Sequence, residues 1–139
     1  MSNNVLQKII DKKKLKIEKI KNEISLENIN EQIEKNNNFI DFKNKIQNNI
    51  NNNNLSIIAE IKKASPSAGI IIENYDPLSI AEIYFKNKAT CLSILTEEDY
   101  FLGKLDHIKK IKQKINLPVL CKDFFIDKFQ VKLSKSYGA

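Results

Sequence analysis

The sequence predicts an α/β chain: a parallel sheet with helices packed outside it, preceded by a helical N-terminal extension. Three observations carry this expectation. From residue 55 onward, short apolar runs alternate with amphipathic stretches in the order strand–helix–strand–helix–strand–helix. Such alternation with short connections builds parallel sheets. The strand runs are nearly continuous in apolar residues, the pattern of strands covered on both faces. Before residue 55 the texture differs, with lysine-rich helical periodicity followed by an Asn-rich stretch. The chain therefore divides into 1–54, an extension and connector, and 55–139, the alternating units.

Over residues 5–24, Leu6, Ile9, Ile10, Ile17, Ile20 and Ile24 recur at spacings that place them on one helical face. A polar stretch runs from Asn28 to Asn38, then Phe39, Ile40, Phe42 and Ile46 give a short second helical pattern. Asn48 to Asn54, broken only by Ile50, reads as an exposed loop, because Asn competes poorly for helix interiors. Ser56–Lys62 is the first strand, ended by the turn-like Lys63–Gly69. Asp76 is an N-cap with Pro77 at the first helical position, opening a helix through Leu78, Ala81 and Tyr84. Thr90–Leu95 is the second strand, and Leu105, Ile108, Ile111 and Ile115 mark the next helix, with His107 on its surface. Pro118 opens the third strand; Asp127 caps a helix containing Phe129, Val131 and Leu133, and Gly138-Ala139 reads as a turn into a further strand. By periodicity alone the sheet is either a doubly wound open sheet or part of a (β/α)8 barrel. No Gly-rich dinucleotide turn follows the first strand, which weakens the first option.

Composition excludes several classes. The 139 residues are 42% apolar and 29% charged, enough for a core, so wholesale disorder is not expected. No apolar run reaches the roughly 18–20 residues of a membrane span, and no signal core opens the chain. Cys91 and Cys121 sit in apolar runs without metal-ligand spacing, so neither a disulfide framework nor a metal site is expected and the cytoplasm is the default compartment. The net charge of +6 raises the question of nucleic acid, but all 23 basic residues are lysine. Base readout and bidentate phosphate binding favour the planar fork of Arg. Solvated helix faces explain the lysines better, so no nucleic-acid partner is expected.

The anomaly lies in charges on strands expected to be buried. Side chains alternate with period two, which groups Ile58 with Glu60 and Lys62 on one face and Ile57, Ala59 and Ile61 on the other. On the third strand Leu120, Lys122 and Phe124 share a face. Cys121 faces the helices, which argues against a nucleophile. Burying an unpaired charge costs several kcal/mol, so Glu60, Lys62 and Lys122 require pairing, water or a ligand. The carboxyl ends of parallel strands are where active sites sit. One reading is a Glu–Lys pair that closes the strand end. The other is a carboxylate between two ammonium groups, suited to an anionic substrate and to proton transfer, since a neighbouring cation makes a lysine a better acid. Ser65-Pro66-Ser67 lacks phosphate-loop spacing; Tyr100-Phe101 and Phe124-Phe125 read first as core, and the alternative is that one ring from each pair walls an aromatic substrate.

With these residues in view, the chain resembles the indole-3-glycerol phosphate synthase family of tryptophan biosynthesis. The matching segments are Ile58–Ser67, Tyr75-Asp76-Pro77, Ser93–Glu97, Tyr100–Gly103 and Leu117–Phe124, with Asp127 and Gln130 in the same pattern. The helix over Val5–Ile24 resembles the family's N-terminal segment. The resemblance implies a (β/α)8 TIM barrel, of which 55–139 would be the first three βα units. It implies conversion of 1-(2-carboxyphenylamino)-1-deoxyribulose 5-phosphate to indole-3-glycerol phosphate, with release of carbon dioxide and water and without a cofactor. By resemblance, Lys122 is the general acid at the ketone oxygen, and Glu60 and Lys62 place substrate and move protons in the dehydration. Ser65 contacts substrate, and Phe101 and Phe124 wall the anthranilate pocket. Some members carry a phosphoribosylanthranilate isomerase barrel on the same chain, so a fused or associated tryptophan-pathway enzyme is among the implied partners.

A complete barrel takes about 250 residues. The family's later catalytic carboxylate and asparagine, and its phosphate site, are not in these 139 residues. The chain is expected to be an N-terminal part of a longer protein, inactive and aggregation-prone alone. A soluble, active 139-residue product would overturn that. The competing class is a non-catalytic basic module on an anionic polymer, which requires steeply salt-dependent binding.

Overall fold

A computed structural model describes residues 3–36 and 38–139. Residues 1, 2 and 37, which the sequence assigns to the extension, lie outside the described residues. The elements are α1 (Asn3–Glu23), α2 (Leu26–Lys35), α3 (Phe42–Asn51), β1 (Ile58–Ile61), β2 (Ala64–Ser65), β3 (Gly69–Ile70), α4 (Pro77–Lys86), β4 (Cys91–Leu95), α5 (Leu105–Lys112), β5 (Val119–Lys122) and α6 (Lys128–Ser136). Strands β1, β4 and β5 form a parallel sheet in that order, and β2 pairs with β3 in a small antiparallel hairpin. The expected α/β class with a parallel sheet is thus the observed one, and the sheet is open rather than a closed barrel.

The helix-facing side of the sheet builds the core. Ala59 and Ile61 of β1, Leu92 and Ile94 of β4 and Val119 of β5 pack with Ala81, Ile108 and Ile111 of the covering helices. Fully burying each large aliphatic side chain contributes about 1.5–3 kcal/mol. Asp76 caps α4 by accepting from the Leu78 amide at 3.1 Å. Asp127 and Gln130 form a reciprocal capping box on α6. These caps fix where each helix leaves its strand.

The expectation of strands covered on both faces holds only for β4, whose five residues are all buried. On β1 the burial alternates, and Ile58 and Leu120 are 49% and 42% exposed. They line the face opposite the helices and are open on the two edge strands, while Ser93 of β4 between them is buried.

Three further expectations are corrected. The polar stretch from Asn28 contains α2, which forms because Ser25 caps it and Ile29 is buried against Ile17, Phe129 and Leu133. Tertiary burial outweighs a poor intrinsic propensity here. The Asn-rich loop begins late: α3 continues through Asn51 and closes with Asn53 at φ 56°. Bonds from the Asn54 amide to the Asn49 carbonyl (2.8 Å) and from Asn53 to Ile50 (3.0 Å) complete the cap. Asn accepts this left-handed conformation at low cost, so the composition that reads as a loop also terminates a helix. His107 is half-buried rather than on the surface, its ring 5.7 Å from that of Tyr75. Gly138 makes the expected turn, at φ 110°.

Candidate active site

The parallel register stacks residues into layers. Glu60 lies beside Ser93, which lies beside Leu120, and one layer further toward the strand ends Leu95 lies beside Lys122. Lys62, one residue beyond Ile61, extends β1 to that same level. Strands sit about 4.8 Å apart, so the Lys62 and Lys122 backbones are roughly 10 Å from each other across two spacings. Both point to the face that carries no helices, as alternation requires.

Glu60 and Lys62 are joined by an ion pair of 2.6 Å, with side chains 39% and 33% exposed. The Tyr84 hydroxyl of α4 donates to the Glu60 carbonyl at 3.1 Å and anchors that point of β1 from the helix side. Lys122 is exposed and has no ion pair among the described residues; its carbonyl accepts the Thr96 amide at 3.0 Å. The strand ends therefore offer a paired carboxylate and ammonium on one edge and an unpaired ammonium on the other.

Phe101 and Phe124 come together from different loops, their rings 6.1 Å apart and tilted by 48°. Gln130 pins the Phe124 loop by donating to the Phe124 carbonyl (2.9 Å) and accepting from Ile126 (2.7 Å) and Asp127 (3.1 Å). The Phe101 loop is held by Gly103, which lies so close to Leu95 that a Cβ would approach its carbonyl oxygen. Only glycine fits there. Ser65 stands apart, its hydroxyl accepting the Ala68 amide at 3.2 Å within its own turn. Cys121 is shielded by the helices, and burial raises its thiol to about 11, which keeps it protonated.

Two charged residues here carried no role in the sequence reading. Lys13 of α1 is 8% exposed and bonds Asp123, between Lys122 and Phe124, at 2.7 Å. The Asp123 carboxylate also accepts the Thr96 hydroxyl (2.7 Å) and the Phe124 amide (2.7 Å). The available signal was spacing: Lys13 falls four residues after Ile9 and four before Ile17, inside the apolar stripe. Glu97, 2% exposed, is the second. Nearby, Lys16 of α1 bonds Glu98 and Asp99, both at 2.8 Å, and its hydrogen bond holds the Asp99 carboxyl below the usual range. The α1 lysines facing the strand ends are thus matched by acids, not arrayed as a bare basic surface.

A cleft of about 290 Å³ between α1 and α6, lined by Ile17, Ile20, Phe125 and Leu133 among others, contains none of the six predicted site residues. Among the described residues no group of three or more His, Cys, Asp or Glu could hold a metal ion. No helix is long and apolar enough to cross a membrane.

Comparison with known proteins adds a second line of observation. The family described as indole-3-glycerol phosphate synthase matches residues 6–139. Proteins named indole-3-glycerol phosphate synthase are similar along nearly the whole chain. That of Acaryochloris marina is 36% identical over 98% of this chain and 44% of its own length. Those of Acetivibrio thermocellus and Clostridium acetobutylicum are 40% and 41% identical, over 97% and 96% of this chain and 52% and 47% of theirs. The chain spans about half the length of the curated relatives it matches.

Proposed function

The chain belongs to the indole-3-glycerol phosphate synthase family, and from that premise we propose that it forms the first three βα units and N-terminal extension of a (β/α)8 barrel. Residues 1–54 supply the extension and 55–139 the units. The whole protein is a carbon–carbon lyase that closes the indole ring of 1-(2-carboxyphenylamino)-1-deoxyribulose 5-phosphate in tryptophan biosynthesis. The observation that carries the site assignment is the stacking of Glu60, Lys62 and Lys122 at the carboxyl ends of parallel strands, on the face free of helices.

The chemistry asks for three things. The ring carbon bearing the carboxylate attacks the ketone carbon, so the ketone oxygen must receive a proton; Lys122 gives it. Loss of carbon dioxide returns the electron pair to the ring and restores aromaticity without help from a base. Dehydration then removes the new hydroxyl with a proton from the adjacent carbon, and the Glu60–Lys62 pair is placed to take one proton and give another. Phe101 and Phe124 hold the anthranilate ring, Ser65 contacts substrate, and the two lysines suit a phosphorylated, carboxylated ligand.

Glu60→Gln in the whole protein is expected to lower kcat by about 10²-fold or more with an unchanged melting temperature, since the side chain is over a third exposed. Steady-state turnover of the substrate, read as indole absorbance, checks this. A near-normal rate removes Glu60 from the proton transfers.

A further inference from the structure

We propose that Glu97 is a positioning residue for the aromatic wall of the substrate pocket, acting through the backbone amides that place Phe101. The inference rests on the reading of Phe101 and Phe124 as that wall. Glu97 is the second residue of the loop that leaves β4, two positions beyond Leu95, and it is 2% exposed. One carboxylate oxygen accepts the Asp99 amide at 3.1 Å. The other accepts Tyr100 at 2.7 Å and Phe101 at 3.1 Å. The Glu97 carbonyl in turn accepts the Gly103 amide at 2.8 Å. No lysine pairs with this side chain among the described residues.

A carboxylate this deeply buried is costly, and the partners it has among the described residues are main-chain amides. An amide would be cheaper to bury but offers a single acceptor oxygen in place of two. Three amides converging from residues 99 to 101 need an acceptor with two oxygens and several lone pairs. The turn they form carries Phe101 to within 6.1 Å of the Phe124 ring. Leu102 at φ 54° and the close approach of Gly103 to the Leu95 carbonyl leave the far end of the turn little freedom. Glu97 therefore sets the near end, and with it the gap between the two rings.

The test is a double-mutant cycle in the whole protein with Phe101→Ala, Glu97→Gln and the pair, measuring KM and kcat for the substrate. Phe101→Ala is expected to raise KM about tenfold, the worth of an aromatic contact. Glu97→Gln is expected to raise KM by about three- to tenfold with kcat changed less than about twofold. The double variant is expected to be no worse than Phe101→Ala, because both changes act through one ring. Glu97→Asp, which keeps the charge and withdraws it by one methylene, is expected to recover part of the loss and serves if Glu97→Gln does not fold. Additive effects, or a KM unmoved by Glu97→Gln while Phe101→Ala raises it, overturn the proposal alone. A KM unmoved by Phe101→Ala overturns the pocket reading and the proposal together.

Discussion

Lys122→Met in the whole protein is expected to reduce kcat by about 10²–10⁴-fold, the range supplied by a positioned general acid. Folding is expected to be intact, because Lys122 is exposed on the helix-free face and takes part in no ion pair among the described residues. Lys122→Arg separates proton delivery from charge. A guanidinium holds its proton far above neutral pH, so it can attract the substrate but not release a proton to the ketone oxygen. It is expected to be nearly as slow as the Met variant while changing KM less. Steady-state kinetics on both variants, with melting curves alongside, decide the matter. Near-normal turnover in either would remove Lys122 from the acid role.

The second large effect is on stability. Lys13→Met is expected to destabilise the protein by about 3–5 kcal/mol, the usual result of deleting one member of a buried pair. The Asp123 carboxylate would remain 9% exposed with a hydroxyl and an amide but no cation. Lys16→Met provides the contrast. Its pairs with Glu98 and Asp99 are partly exposed, and such pairs contribute about 0–1 kcal/mol, less at high salt. Denaturant midpoints of the two variants measure the difference. Equal midpoints would mean that the Lys13–Asp123 pair is solvated in solution.

The parts of the fold legible in the sequence were those written in local pattern. The alternation at Ile58–Lys62 and the caps at Asp76 and Asp127 each state one strand or helix end without reference to distant residues. What escaped was set by tertiary contact. α2 exists because Ile29 is buried against α6, 100 residues away in sequence, and no window of ten residues contains that fact. The run of asparagines defeats composition-based reading because the same residue breaks helices and closes them. In the candidate site, Glu60, Lys62 and Lys122 were visible as charges in apolar strands. Lys13 looked like one lysine among many, although its place in the stripe marked it. Glu97 sits in a loop, where an acid is unremarked until its burial is known.

The pairing of α1 with residues more than 100 positions later has a consequence for biosynthesis. Lys21 reaches across 106 positions to Asp127 at 2.6 Å. α1 therefore lacks its contacts with α6 until α6 has been made. At translation speeds of about 5–20 residues per second, that wait is roughly 5–20 s. Throughout it, Ile17 stands without Phe129 and Leu133, and the lysines around it keep the nascent segment in water.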